Sequence, residues 1–119
     1  MNRRNPKKYT DRELCILLQQ KNSKAFDQLY SQYSCMLYGL ALQSVRSQEF
    51  AEEIISLTFS KVWNSIHFYN PDTMKLTTWL INTLIVTTKD YLSKKSLNYS
   101  FNVKDFPNFS FDIIQENAC

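Results

Sequence analysis

Apolar side chains recur every three or four residues along most of the chain, which is the period of an α-helix. Thr10 and Glu13 suit a capping box at a helix start, and Ser23 and Ser47 are predicted to cap two longer helices. The side chains expected to face the core in these three helices are Leu14, Leu17, Leu18, Phe26, Leu29, Tyr30, Tyr33, Leu37, Leu40, Ala41, Ala51, Ile54, Ile55, Thr58, Val62 and Ile66.

The third predicted helix carries one apolar residue on its polar side. Leu57 shares that face with Glu53, Ser60 and Asn64, and Glu52 and Ser56 lie beside it. Single exposed leucines are common on protein surfaces. Contact with another protein is the alternative interpretation of Leu57.

A polar loop over residues 67–75 separates the third and fourth helices. Asn70 precedes Pro71 and is therefore disfavoured in helical backbone, while Asp72 suits a turn. The fourth helix is predicted over residues 76–95 and is mostly apolar, which indicates a buried helix. The outer strip left on it comprises Thr78, Asn82, Val86, Lys89 and Ser93.

Residues 96–119 differ from the predicted helices in composition and in the spacing of their apolar residues. Aromatic residues alternate with Asn and Ser around Pro107, and no helical period persists before Ile113. We expect an irregular aromatic tail that packs on the helices or binds a partner.

The composition favours an all-α fold. Gly39 is the only glycine in 119 residues, and no proline occurs between Lys7 and Asn70. A single glycine also excludes glycine-rich phosphate-binding loops. We predict a compact bundle of about four helices in which Gly39 permits a close helix crossing.

The net charge of +3 is concentrated at the beginning of the sequence. Residues 1–9 form a basic arm with Arg3, Arg4, Lys7 and Lys8, on a body that is nearly neutral. Such an arm is either an ordinary exposed tail or a segment that steers the protein toward nucleic acid.

The three cysteines, Cys15, Cys35 and Cys119, lack metal-site spacing and are expected to be reduced thiols that serve packing. The basic start leads into polar sequence, unlike a signal peptide. No apolar stretch approaches the roughly 20 residues that span a bilayer. We therefore expect a cytoplasmic protein without membrane contact.

Catalytic chemistry has little support. His67 is the only histidine, and no cysteine or carboxylate stands at ligand spacing from it. A nucleophile triad would also need a suitably placed histidine. We predict a protein that is not an enzyme and holds no metal or cofactor.

Motifs spread over residues 10–95 occur in a definite order. They are Asp11-Arg12-Glu13-Leu14, Ala25-Phe26-Asp27-Gln28-Leu29-Tyr30, Leu37-Tyr38-Gly39-Leu40-Ala41, the run from Ala51 to Trp63, Tyr69-Asn70-Pro71-Asp72, Leu76-Thr77-Thr78-Trp79-Leu80 and Asp90-Tyr91-Leu92-Ser93-Lys94-Lys95. Together they resemble region 2 of the extracytoplasmic-function sigma factors of the sigma-70 type. The resemblance implies one helical domain over residues 10–95, with residues 96–119 a tail or the start of a linker to a second domain.

The resemblance also implies a function and a set of site residues. Region 2 of that family binds the clamp helices of the RNA polymerase core and the upstream melting element of the promoter, in single-stranded form. The residues that would bind polymerase are Glu52, Glu53, Ser56, Leu57, Ser60, Lys61 and Asn64. The residues that would contact promoter DNA are Asn70, Lys75, Thr77, Thr78, Trp79, Asn82, Lys89, Lys94 and Lys95.

One departure from the family pattern supports an alternative function. Leu84-Ile85-Val86 stands where the family usually has Ala-Arg-Asn, so a cation and an amide are missing from the fourth helix. The alternative is a protein-interaction module that binds polymerase or an anti-sigma factor without recognising a promoter.

Overall fold

The computed structural model describes residues 9–114. Residues 1–8 of the basic arm, Cys119 and the rest of residues 115–119 lie outside the described residues. The elements in chain order are α1 (Asp11–Gln19), α2 (Ser23–Val45), α3 (Gln48–Ser65), a short 3₁₀ helix (Ile66–Phe68), α4 (Leu76–Lys94), β1 (Asn98–Asp105) and β2 (Asn108–Ile114). The all-α prediction is confirmed for the four helices and is wrong for the tail.

The helix starts follow the capping signals in the sequence. The Thr10 hydroxyl accepts a hydrogen bond from the Glu13 backbone N–H, and the Glu13 carboxylate accepts one from the Thr10 backbone N–H, so the predicted capping box is confirmed. Ser47 caps α3 as predicted. Asn22, rather than Ser23, caps α2, because its side-chain oxygen reaches the Ala25 N–H at 2.9 Å.

The core lies where the inner faces of the helices meet. The predicted inner stripe of α3 is buried throughout, and α4 is buried on most of its circumference. Three threonines of α4 lie in this interior, namely Thr83, Thr87 and Thr88, and each hydroxyl donates to the carbonyl one turn earlier. Within residues 9–114, no helix is both long and apolar enough to cross a membrane.

The tail forms an antiparallel hairpin, which corrects the expectation of an irregular segment. β1 and β2 pair from Asn98 opposite Ile114 to Asp105 opposite Asn108, and the turn contains a cis Phe106–Pro107 bond. Side chains alternate between two faces at a period of two, as strands require. The helical period is absent here because the backbone is extended.

The hairpin is packed on the helices by its aromatic face. Phe109 and Phe111 are buried, and their rings lie within 6.3 Å of the Phe101 ring. Arg46, which ends α2 in the left-handed backbone region, forms an ion pair with Asp112 of β2. Of the two expected roles for the tail, packing on the bundle is confirmed.

Two residues expected in the interior are exposed instead. Tyr30 is exposed because no element covers the outer side of the α2–α3 contact at that point, within the described range. Cys35 is also exposed on α2, whereas Cys15 is buried as expected. The packing role assigned to the cysteines therefore holds for Cys15 and is wrong for Cys35.

Gly39 does not mark a close helix crossing. It lies on the exposed side of α2, and a Cβ atom added there would meet nothing within 4 Å. We expect Gly39→Ala to raise the free energy of unfolding by about 0.5–1 kcal/mol, because alanine loses less backbone entropy in a helix. Urea denaturation followed by circular dichroism measures this change.

The reciprocal substitution provides the control. Gln32 is exposed in the middle of the same helix, and Gln32→Gly should lower the free energy of unfolding by a similar amount. Destabilisation by Gly39→Ala would show that this surface is covered in solution.

Candidate polymerase and nucleic-acid interface

The outward face of α3 gathers all the residues predicted to bind polymerase. Each of the seven is exposed: Glu52, Glu53, Ser56, Leu57, Ser60, Lys61 and Asn64. Leu57 is 48% exposed in the midst of these polar side chains. We call this set the α3 outer face. An exposed apolar side chain at its centre suits the core of a protein–protein contact with a polar rim.

Glu53 also ties α3 to α4. The Tyr91 hydroxyl donates a hydrogen bond to the Glu53 carboxylate. Burial of the ring, together with this bond to a carboxylate, raises the pKa of the Tyr91 hydroxyl. Glu53 therefore has a structural role that the helical spacing did not indicate.

An aromatic groove borders the α3 outer face on the α2 side. Phe26, Tyr30, Phe59 and Trp63 line it, and its volume is about 500 Å³. The Tyr30 and Phe59 ring centroids are 4.8 Å apart, and those of Phe26 and Trp63 are 5.0 Å apart. Asp27 lies on the rim of this groove.

The groove was not predicted, although two of its pairs follow helical spacing. Phe26 and Tyr30 are one turn apart on α2, and Phe59 and Trp63 are one turn apart on α3. That spacing is equally typical of a core stripe. Only the packing of α2 on α3 shows that these rings line a surface groove.

The loop before α4 is internally bonded. The Asn70 side-chain oxygen accepts from the Asp72 N–H at 2.9 Å, and the Asn70 carbonyl accepts from the Thr73 N–H at 3.1 Å. Arg12 of α1 forms an ion pair with Asp72. The Asn70 side-chain oxygen is thus engaged within the loop.

Tyr69, at the start of this loop, is held in place by a hydrogen bond and a ring contact. Tyr69 is buried, and its hydroxyl donates to the Met74 carbonyl at 2.7 Å. Its ring centroid lies 5.3 Å from that of Trp79. Burial raises the pKa of the Tyr69 hydroxyl, so this group stays protonated and keeps its hydrogen bond to the Met74 carbonyl.

The remaining loop candidates differ in accessibility. Lys75 and Asn82 are exposed, while Thr77, Thr78 and Trp79 are half-buried. The Asn82 amide approaches the Met74 sulfur at 4.0 Å. Asn82 therefore offers an exposed amide close to the loop.

The lysines of α4 that were predicted to contact DNA are held by neighbouring side chains. The Lys89 Nζ atom lies 4.3 Å from the centroid of the Phe101 ring in β1. Lys94 pairs with Asp90 at 3.4 Å, and the Lys95 Nζ atom lies 5.2 Å from the centroid of the Tyr91 ring. These contacts fix the direction of the side chains and leave their charges at the surface.

A second groove joins the two predicted sites. It runs between α3 and α4 with a volume of about 630 Å³, and both sets of candidate residues line it. Leu57, Ser60, Lys61 and Asn64 come from the polymerase set, while Lys94 and Lys95 come from the DNA set. From the sequence, the polymerase surface on α3 and the DNA surface on the loop and α4 were predicted as separate sites. In the structure they are adjacent.

The His67 and Phe68 rings are in tilted contact, with their centroids 4.1 Å apart. In the part of the chain that the structure describes, no three residues among His, Cys, Asp and Glu come together in a way that could hold a metal ion.

Comparison with known proteins identifies the helical part of the chain. The sequence matches the family model of sigma-70 region 2 over residues 29–97, which is more than half of the chain. The match ends directly before β1, so the hairpin lies outside it. The sequence resemblance to this region is thereby confirmed.

A solved structure has a similar fold. It is the NMR structure of the complex formed by an engineered region 2 of sigmaE with GTAAAA, with a TM-score of 0.66 and 25% sequence identity. The similarity covers 74% of this chain and 90% of that chain. None of the curated proteins compared matches the sequence.

Proposed function

The chain belongs to the sigma-70 region 2 family, and on this premise we propose that it binds the RNA polymerase core and single-stranded promoter DNA. The observation that carries the proposal is the α3 outer face with exposed Leu57 at its centre. This face is the counterpart of the surface by which the family is expected to engage the polymerase clamp.

The polymerase contact would extend from the α3 outer face into the aromatic groove. The rings there offer apolar area, and Asp27 and Glu52 place carboxylates at its edge. A helical partner with an apolar side chain flanked by cations would satisfy both features. Clamp helices with that chemistry are the proposed partner.

The DNA contact would be made by the loop and the outer strip of α4. A flipped base needs hydrogen-bonding groups beside an aromatic or apolar wall. Asn82 and Thr78 supply polar groups next to Trp79, and Lys75 supplies a cation for the backbone. The similar structure, which was solved as a complex with GTAAAA, makes that sequence a suitable probe.

Asn82→Ala is expected to weaken binding of a fluorescein-labelled GTAAAA strand about five- to thirtyfold. This corresponds to about 1–2 kcal/mol for one or two lost hydrogen bonds. A scrambled strand of the same composition should bind equally to both proteins. Fluorescence anisotropy at two salt concentrations measures these affinities.

Asn98→Ala provides the matched control, because Asn98 is an exposed asparagine on β1. This variant should bind GTAAAA like the wild type. Absence of wild-type binding to either strand at low salt would contradict the DNA part of the proposal.

The alternative function is a protein-interaction module without promoter recognition. Val86 favours it, since this residue is 52% exposed in the centre of the α4 outer strip, where the family usually has a polar group. Retained polymerase binding with no oligonucleotide binding would support this alternative. An anti-sigma factor would then be the second proposed partner.

A further inference from the structure

A depression on the surface brings together residues from two helices. Lys61 of α3 and Lys89 of α4 line it with Val86, Asp90 and Ser93, and its volume is about 370 Å³. Lys61 was expected to bind polymerase, yet it lies beside a residue expected to bind DNA. The depression is therefore lined by two basic side chains and one hydroxyl side chain.

The carboxylate in this depression is paired with a third lysine. Asp90 pairs with Lys94, one turn further along α4, at 3.4 Å. Among residues 9–114, neither Lys61 nor Lys89 forms an ion pair. Their charges are available to an external anion.

The hairpin fixes one of the two lysines. The Lys89 ammonium stands over the Phe101 ring, and a cation in this position is attracted by the ring. Phe101 is itself held by Phe111, with ring centroids 4.8 Å apart. Lys89 is thus directed by β1, a strand that lies outside the family match.

We propose that Lys61 and Lys89 together bind one backbone phosphate of a single-stranded nucleic acid, and that Phe101 positions Lys89 for this contact. The inference rests on the proposed function and adds a residue of α3 and a strand of the hairpin to the nucleic-acid surface.

The surroundings favour a nucleic acid over an acidic peptide. Lys61 also lines the neighbouring groove that contains Lys94 and Lys95. Basic side chains therefore line two neighbouring grooves that share Lys61 and Asp90, and several cations along one surface suit a chain with regularly repeated charges. Val86 adds an apolar contact for a base or sugar.

The first test compares the salt dependence of binding to the GTAAAA strand. Lys61→Gln and Lys89→Gln should each reduce the slope of log K against log salt by less than about 0.7, and the double variant should reduce it by about 0.7 in total, the value for one phosphate on a single strand. Since both lysines bind the same phosphate, the double variant should lose less affinity than the product of the two single losses. Lys104→Gln in β1 is the control and should leave the slope unchanged.

Independent losses of affinity in the Lys61 and Lys89 variants would overturn the shared phosphate, and so would an unchanged slope in the double variant. Polymerase binding provides a further distinction. Loss of polymerase binding in Lys61→Gln with unchanged oligonucleotide binding would place Lys61 in the polymerase interface and overturn its role at the phosphate.

The second test addresses Phe101. The Lys89 Cε protons should show an upfield ring-current shift by NMR in the wild type and in Phe101→Tyr, and lose it in Phe101→Leu. Oligonucleotide affinity should fall about two- to fivefold in Phe101→Leu, as expected from about 0.5–1 kcal/mol for an exposed cation–π contact. Phe101→Tyr should retain the wild-type oligonucleotide affinity. Wild-type affinity in Phe101→Leu would overturn the positioning role.

A titration with inorganic pyrophosphate separates this inference from the proposed function. Joint shifts of the Lys61 and Lys89 signals would support the anion site even if no oligonucleotide bound. Absence of any shift at these two lysines would overturn the site, even with promoter binding intact through Asn82.

Discussion

Phe111→Ala is expected to lower the free energy of unfolding by about 3–5 kcal/mol, the usual cost of deleting a buried aromatic side chain. Phe111 is 1% exposed. Its ring lies 5.2 Å from that of Tyr99 and 4.8 Å from that of Phe101, measured between centroids. Because Phe111 belongs to the buried core that the hairpin shares with the helices, its loss should detach both strands. Urea denaturation followed by far-UV circular dichroism measures the change.

Phe106→Ala is the matched control for this experiment. Phe106 is also a phenylalanine of the hairpin, but it is 47% exposed in the turn, so its removal should change stability by less than about 0.5 kcal/mol. Equal effects of the two substitutions would show that the hairpin does not pack on the helices in solution.

The helices were predictable because their signals are local and agree with one another. Apolar residues at helical spacing mark the buried side of α3, and Ser47 satisfies the first free N–H groups of that helix. The boundary of α2 was missed by one residue because Asn22 and Ser23 are both good caps. The hydrogen bond that distinguishes them is visible only in the structure.

The hairpin was missed although its sequence contains the signal for strands. Tyr99, Phe101 and Val103 alternate with polar residues, and so do Phe109 and Phe111. Glycine, the usual mark of a hairpin turn, is absent from the segment. A two-stranded sheet is marginal by itself, so its formation depends on the packing against α2 that the sequence does not display.

The candidate surfaces were predictable only as faces of single helices. Spacing placed Leu57 and Glu53 on one side of α3, and both are exposed. The bond from Tyr91 to Glu53 and the contact of Lys89 with Phe101 join different elements. Both contacts depend on how those elements pack on one another, and residue spacing within one helix does not reveal that packing.

Leu57→Glu is expected to abolish retention of RNA polymerase core in a pull-down, with a loss of affinity of at least about tenfold. A leucine buried at an interface contributes about 1.5–3 kcal/mol, and a carboxylate in its place must also be desolvated. The fold should persist, because Leu57 is 48% exposed and a glutamate there stands one turn before Lys61. Circular dichroism and thermal unfolding verify this.

The matched control is Val86→Glu, which introduces the same charge at an apolar residue that is 52% exposed on α4. It should leave polymerase binding intact, because Val86 lies outside the α3 outer face. Leu57→Ala should give an intermediate loss, since it removes apolar area without adding a charge. If polymerase binds Leu57→Glu as tightly as the wild type, the α3 outer face is not the docking surface. Loss of binding in Val86→Glu alone would move the contact to α4.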